Sequence, residues 1–326
     1  MKKTEILFHR YELTAKAPLN AATTRKKYPG ALILVDGGVG CIHPWPEFGD
    51  APLEEHLYSL LTDQPTALAS LAFACAREDS FARKQKISLF DGVVVPRSHY
   101  SWNSALRLEE QCEVLVSEKW PAVKMKGTCD VTATAALINE ISERTRRAGW
   151  SVKLRVDFNS CTNLDNIQLF LSLLNETARR ELDFLEDPVP YEESVWCELQ
   201  QRYQLRLAVD KAWATATRGF DVVVVKPTRR DWKLVIQKHP QAQLVFTSAM
   251  DHPIGQSWAA LQAARARSDL PSQVAVCGLC TQHLFQGDAF CYRLKTPSGY
   301  FQPDAVGGGL GFGDLIAELK WEKLSL

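Results

Sequence analysis

Five short apolar runs in the middle of this chain end in charged residues, and the charges follow a chemically useful order. The runs read Val123-Lys124-Met125-Lys126, Arg155-Val156-Asp157-Phe158-Asn159, Phe184-Leu185-Glu186-Asp187-Pro188, Ala208-Val209-Asp210-Lys211 and Val225-Lys226-Pro227-Thr228. Brought to one end of neighbouring strands, they would aim lysines, three carboxylates and a further lysine into one cavity. Three crowded carboxylates repel one another, and a divalent cation relieves that repulsion. Asp157, Glu186 and Asp210 offer only oxygens, the donor set of a hard ion such as Mg²⁺ rather than zinc. Such an ion leaves positions open for a substrate carboxylate. It would support the enediolate formed when the neighbouring α-proton is removed.

The lysines supply the proton transfer. An ammonium is a poor base at neutral pH, but nearby cations disfavour its charged form and free an amine. Lys124 and Lys126 are two residues apart, so on a strand both point to one face. Lys126, at the strand end, is placed to touch substrate and Lys124 to tune it, while Lys226 approaches from across the cavity. Taken singly, each residue reads more simply as a cap, an ion-pair partner or a solvated strand edge. Their joint occurrence in strand order is what points to chemistry. Asp187 and Lys211 directly follow presumed ligands, so the pleat should turn them outward, to ion pairing outside the cavity.

These residues need a scaffold that aligns strand ends. From about residue 91 short β-branched runs recur: Gly92 to Pro96, Ala122 to Lys126, Val152 to Phe158, Leu182 to Glu186, Leu205 to Asp210, Asp221 to Lys226, Leu244 to Ser248 and Val274 to Leu279. Amphipathic stretches such as Val131 to Arg147 and Asn166 to Arg180 separate them. Eight strand candidates alternating with helices indicate a parallel β/α barrel. The competing doubly wound sheet would show an early glycine-rich loop between a strand and a helix, and none is present. Residues 1–90 read as a small α+β unit. Ala31 to Val35 is a strand candidate running into an Asp36-Gly37-Gly38 turn, and a proline- and aromatic-rich loop follows from His43 to Gly49. Helical spacing then covers Leu53 to Leu61 and Thr66 to Lys84. The glycine-rich stretch Gly307 to Gly313 lacks a following Lys-Ser/Thr, so it reads as tight turns leading to a helix from Asp314 to Leu324.

Composition narrows the function classes. Thirty-eight basic residues balance thirty-eight acidic ones, so no net field favours nucleic acid or an anionic membrane. Lys2 and Lys3 precede an apolar run broken by His9 and Arg10, too short for a secretory signal, and no later stretch could span a membrane. Nine cysteines without a framework pattern are expected as reduced thiols, which places the chain in the cytoplasm. A zinc site built on His43 and Cys41, or on His283 with Cys277 and Cys280, is disfavoured, since the Cys277 and Cys280 spacing suits core packing.

The strand-end set resembles the enolase superfamily and, within it, the o-succinylbenzoate synthases. The resemblance spans nearly the whole chain. It rests on Lys124-x-Lys126, the Leu-Arg-Val-Asp-Phe-Asn strand, the Leu-Glu-Asp-Pro strand, the Val-Asp strand, Val-Lys-Pro-Thr, the Gly40 to Gly49 loop and the Cys-Gly-Leu-Cys-Thr segment. It implies an α/β fold, a modified (β/α)₇β TIM-like barrel over residues 91–295. Residues 1–90 and 296–326 would together form an α+β capping domain. It implies syn dehydration of 2-succinyl-6-hydroxy-2,4-cyclohexadiene-1-carboxylate to 2-succinylbenzoate, a step of menaquinone biosynthesis. Asp157, Glu186 and Asp210 would bind Mg²⁺, Lys126 would remove the α-proton and then protonate the departing hydroxyl, and Lys226 would stabilise the enediolate. Substrate contacts are implied at Arg155 and Asn159, and at Thr247, Ser248 and Gly278 for the succinyl tail. The partner implied is a small-molecule carboxylate, with no nucleic acid, membrane or obligate protein partner. Lys211 and Asp187 depart from the superfamily pattern, which commonly has an acid and a glutamate there.

Two other readings stay open. A racemase of N-acylamino acids or an epimerase of dipeptides from the same superfamily would use the same metal and both lysines. A metal-dependent barrel hydrolase is the reading from a different class. It would present histidines at strand ends, and none of the seven histidines ends one of the six best-defined strands.

Overall fold

A two-residue turn organises the first sheet. In the computed structural model, which describes residues 5–19 and 24–325, Asp36 and Gly37 both have positive φ, 50° and 87°. That is the backbone a tight hairpin needs. It joins β2 (Lys27–Val35) to β3 (Gly38–Ile42), with Val35 opposite Gly38. Antiparallel β1 (Ile6–Thr14) flanks β2, and β11 (Glu322–Lys323) adds to β1 to complete a four-stranded sheet. Helices α1 (Leu53–Ser59) and α2 (Ala67–Gln85) cover it. A Cβ at Gly40 would stand 2.0 Å from the Ala72 carbonyl, so only glycine lets β3 lie this close to α2.

The rest is a parallel barrel. In chain order it runs β4 (Tyr100–Ser101), α3 (Leu108–Ser117), β5 (Ala122–Lys126), α4 (Val131–Arg147), β6 (Lys153–Asp157), α5 (Leu164–Leu173) and α6 (Glu176–Glu181). Then come β7 (Leu182–Glu186), α7 (Glu193–Tyr203), β8 (Leu207–Val209), β9 (Val222–Val225), α8 (Trp232–Lys238), β10 (Gln243–Phe246) and α9 (Pro253–Asp269). The seven strands form one sheet in order β4 to β10. Single parallel bridges Leu244–Val274, Thr247–Gly278 and Ser98–Cys277 close it through residues 274–278. This is the (β/α)₇β barrel with an α+β capping domain. Short helices α10 (Ala289–Arg293) and α11 (Gly313–Glu318) lead back to β11.

Four expectations need correction. The run Gly92 to Pro96 is no strand: none of its valines is fully buried, Val94 is largely exposed, and the first barrel strand is the polar stretch around Tyr100. The eighth strand, expected over Val274 to Leu279, reduces to isolated bridges. The helix expected over Asn166 to Arg180 is two, because Asn175 caps a new turn by accepting from the Ala178 amide at 2.8 Å. The C-terminal helix stops at Glu318, and the residues after it become the edge strand β11. Lys2 and Lys3 lie outside the described residues. Among those described, no helix is long and apolar enough to cross a membrane.

The glycine-rich stretch has one specific task. Fully buried Asp79 on α2 accepts from the amides of Val39 (2.8 Å) and Leu310 (2.7 Å) and from Arg83 Nε (2.6 Å). Gly309 carries positive φ, and a Cβ there would meet the Asp79 carboxylate at 2.1 Å. One carboxylate thus joins the hairpin, α2 and the C-terminal loop. Replacing it strands an arginine and two amides, so Asp79→Ala is expected to cost about 3–5 kcal/mol. Chemical denaturation measures this, and a midpoint equal to wild type would remove Asp79 from that role.

Candidate active site

Parallel register does the aligning. Lys126 pairs with Asp157 across β5–β6, and Asp157 pairs with Glu186 across β6–β7, so the three stand in one row at the strand ends. Lys124 lies two residues below Lys126 on the same face, opposite Arg155. Asp210 and Lys226 directly follow β8 and β9. The six residues taken from the strand-end pattern therefore meet at one mouth of the barrel.

Their contacts are ionic. Lys124 Nζ donates to Glu186 Oε2 at 2.6 Å and lies 2.9 Å from Asp157 Oδ2, to which Lys126 Nζ donates at 2.6 Å. Lys226 Nζ donates to Asp210 Oδ2, and Arg230 reaches Asp210 Oδ1 at 3.0 Å. Among the described residues, no three His, Cys, Asp or Glu side chains are gathered as a ready metal shell. Each of the three carboxylates instead holds an ammonium. The donor chemistry nonetheless suits a hard cation: three carboxylates from successive strands, with no imidazole or thiolate among them.

Burial and charge shape the protonation of the group. Burial opposes ionisation of Asp157, but Lys124 and Lys126 outweigh it and hold the carboxyl well below its usual range. Asp210 is likewise buried and is held low by Lys226 and Arg230. Glu186 goes the other way: burial, then the neighbouring Asp157, push it up to about 8. Burial works against the Lys124 ammonium, yet Asp157 and Glu186 raise its pKa above the usual lysine value. Burial lowers that of Lys226 against the pull of Asp210. Both lysines feel two carboxylates, but at Lys226 the Arg230 charge adds to burial in opposing them, so the two differ in direction.

Asp187 and Lys211 do not form the expected outward ion pairs. Asp187 has φ 41°, which breaks the strand alternation and turns it inward, where it is 2% exposed. It accepts from the amides of Asp210 and Lys211, each at 3.2 Å, and burial, then Asp210, push it up to about 7. Lys211 donates to the Asn159 carbonyl and lies 5.8 Å from the centre of the Phe48 ring in the aromatic loop.

A cavity of about 690 Å³ opens above the lysines. Lys124, Lys126 and Lys226 line it, as do Thr247, Ser248 and Gly278. The carboxylates lie outside its lining. Thr247 Oγ1 is buried without a partner among the described residues, while Ser248 Oγ pairs with Thr281 Oγ1 at 2.6 Å. Arg155 and Asn159 do not line the cavity. Arg155 sits one layer lower, its donors taken by Asp183 (2.8 Å), the Val276 carbonyl (2.8 Å) and His99 Nδ1 (2.9 Å). These Arg155 donors are thus engaged by protein partners. Asn159 gives its amide N–H to Asp157 Oδ1 at 3.0 Å, and its buried Nδ2 has no partner among the described residues.

Sequence reasoning passed over several residues here. Arg230 follows the Val-Lys-Pro-Thr strand end by two positions, and that adjacency was a usable signal. Arg229 holds Asp50 through two 2.7 Å bonds, and Trp45 Nε1 donates to the Ala249 carbonyl at 2.9 Å, pinning the aromatic loop to the barrel mouth. His43 Nδ1 and Cys41 share the Tyr11 hydroxyl, at 2.8 and 3.3 Å, and His283 Nε2 meets the Ser101 carbonyl at 2.8 Å.

Comparison with known proteins bears on the family and the fold. Residues 6–82 match the family model described as O-succinylbenzoate synthase, N-terminal domain. A curated o-succinylbenzoate synthase of Bdellovibrio bacteriovorus is 30% identical over 334 residues, covering 99% of each chain. A mandelate racemase/muconate lactonizing protein of Herpetosiphon aurantiacus superposes with TM-score 0.73 at 14% identity, covering 94% of this chain and 96% of that one. A dipeptide epimerase of Methylococcus capsulatus, complexed with Mg and L-Arg-D-Lys, gives 0.69 at 14% identity, covering 93% and 97%. These two structures share the fold.

Between capping sheet and mouth, Asp251 is fully buried and accepts from Thr228 Oγ1 at 2.9 Å. Burial pushes its carboxyl up to about 6 from 3.8. The folded chain then keeps this proton between about pH 4 and 6 while the unfolded chain has lost it, so rising pH in that window destabilises the fold. Wild type is expected to lose up to about 3 kcal/mol relative to Asp251→Asn across it. Denaturation midpoints of both proteins at pH 4, 5, 6 and 7 check this, and parallel pH curves would refute it.

Proposed function

The chain belongs to the o-succinylbenzoate synthase family, enzymes of the lyase type, and from that premise we propose that it dehydrates 2-succinyl-6-hydroxy-2,4-cyclohexadiene-1-carboxylate to 2-succinylbenzoate, with Mg²⁺, in menaquinone biosynthesis. The observation that carries this reading is the meeting of lysines from two non-adjacent strands, β5 and β9, over three carboxylates under one cavity. Mg²⁺ held by Asp157, Glu186 and Asp210 would supply Lewis-acid support for charge developing on the substrate carboxylate.

The residues of the chain do the rest. Lys126 lines the cavity at the end of β5, where it takes the α-proton and returns a proton to the leaving hydroxyl on the same face, which makes the elimination syn. Lys226 faces it from β9, and its positive charge stabilises the enediolate. Lys124, held by two carboxylates, keeps its charge beneath Lys126. Asn159 and Arg230 orient Asp157 and Asp210. Thr247, Ser248 and Gly278 wall the part of the cavity assigned to the succinyl tail. The partner proposed is a small-molecule carboxylate. Nine free cysteines suit the reducing cytoplasm.

A second reading has its own support. Solved dipeptide epimerases share the fold, and two lysines on opposite sides of a cavity could each exchange an α-proton. A spectrophotometric dehydration assay with and without Mg²⁺ tests the first reading. Turnover is expected to need the metal and to fall about 10²–10⁴-fold in Lys126→Ala. A folded, Mg²⁺-loaded wild type without turnover would sink it. Exchange of the α-proton of dipeptides or N-acylamino acids in D₂O would then support the epimerase reading.

A further inference from the structure

The cavity wall contains a histidine for which the proposed chemistry has no use. His99 lines the cavity beside the lysines and is 2% exposed. Its backbone N–H donates to the Cys277 carbonyl at 2.7 Å, at the seam where the barrel closes. Its Nδ1 lies 2.9 Å from Arg155 Nη1. A guanidinium has donors and no acceptor, so Nδ1 must be the acceptor in that bond. A neutral imidazole with Nδ1 accepting carries its proton on Nε2. Burial, and then the Arg155 charge, hold the ring neutral, well below the usual histidine range, with Lys124 acting in the same direction.

Arg155 is itself fixed. Asp183 and the Val276 carbonyl take its other donors, and its guanidinium lies 4.7 Å from the centre of the Phe184 ring. The ring of His99 is fixed from the other side by Gly278, where a Cβ would stand 2.5 Å from Cε1 and 2.6 Å from Nε2. No protein group among the described residues accepts from Nε2. A donor of known tautomer, locked in place and unused by the protein, therefore stands in the wall of a substrate cavity.

We propose that His99 is a substrate-recognising residue whose Nε2–H donates to an uncharged carbonyl oxygen, the ketone of the acyl side chain. The ligand assignment rests on the dehydratase reading above. A neutral donor suits a neutral acceptor, whereas a carboxylate is better met by the cavity's lysines. Gly278 then serves recognition indirectly, by leaving room for the imidazole.

Binding of 2-succinylbenzoate and of its analogue with CH₂ in place of the ketone separates recognition from packing, since the two differ only in that acceptor. With Mg²⁺ present, the wild type is expected to bind the ketone about tenfold more tightly, and His99→Phe to bind both equally, near the wild-type affinity for the analogue. A ketone preference retained in His99→Phe, or its absence from a wild type that dehydrates substrate, overturns the proposal while leaving the dehydratase reading intact. A wild type that neither dehydrates nor binds either compound overturns the dehydratase reading and this ligand with it. Nitrogen-15 NMR of the histidines judges the donor independently of any ligand. The neutral Nε2–H form at pH 7 is expected, and an imidazolium or the Nδ1–H form overturns it, whether or not the variant folds.

Discussion

Four buried carboxylates at one end of a barrel are tolerable only if each meets donors or cations, and the rest of the mouth is arranged around that requirement. Asp157 takes two ammoniums and the Asn159 amide, Glu186 takes Lys124, and Asp210 takes Lys226 and Arg230. Asp187 has no ion pair among the described residues and rests on two backbone amides, and burial, then Asp210, push its carboxyl up to about 7. The compensation comes from strands on both sides of the carboxylates, β5 beside β6 and β9 beside β8. The three lysines among these cations also line the cavity, so neutralisation and the proposed catalysis draw on the same side chains.

The capping domain closes one side of the cavity through Ala17, Pro18 and Leu19, which follow β1. Its aromatic loop is bound to the barrel by the Asp50–Arg229 pair and by the Trp45 indole, and Arg229 adjoins the Arg230 that orients Asp210. The sheet is in turn completed by both ends of the chain, since β11 pairs with β1 and Asp79 ties the hairpin to the glycine-rich loop. Chain ends distant in sequence thus stabilise the roof over residues in the middle.

Legibility in the sequence followed physical regularity. β5 and β7 were readable to the residue, because each is a short run with buried apolar residues, Val123 and Met125 or Phe184 and Leu185, that ends in a charge. β1 was obscured by His9 and Arg10 interrupting its apolar residues, although Ile6, Phe8 and Leu13 are the buried ones. The first barrel strand was misplaced because Ser98-His99-Tyr100-Ser101 looks like a loop, while the valines before it look like a strand. Its strand character comes from neighbours Cys277 and Val123, far away in sequence. Asp187 and Asn159 departed from alternation because each has positive φ, a property that composition does not announce. His99 was invisible for the same reason as its strand.

The shared machinery sets a limit on what catalytic residues can say about substrate. Two lysines flanking a metal-supported carboxylate serve elimination and epimerisation alike, because both begin with the same loss of an α-proton. A dehydratase must also hold a leaving hydroxyl on the face of its base, and an epimerase must admit protons from both faces. That difference is decided by how the bound molecule is turned, which depends on the cavity wall and the roof. In this chain the wall is built from Thr247, Ser248, Gly278 and His99, with His99 in turn held by an arginine on the strand that carries Asp157. The strand that carries Asp157 therefore also fixes a donor in the cavity wall, so the proposed chemistry and the proposed recognition share one element.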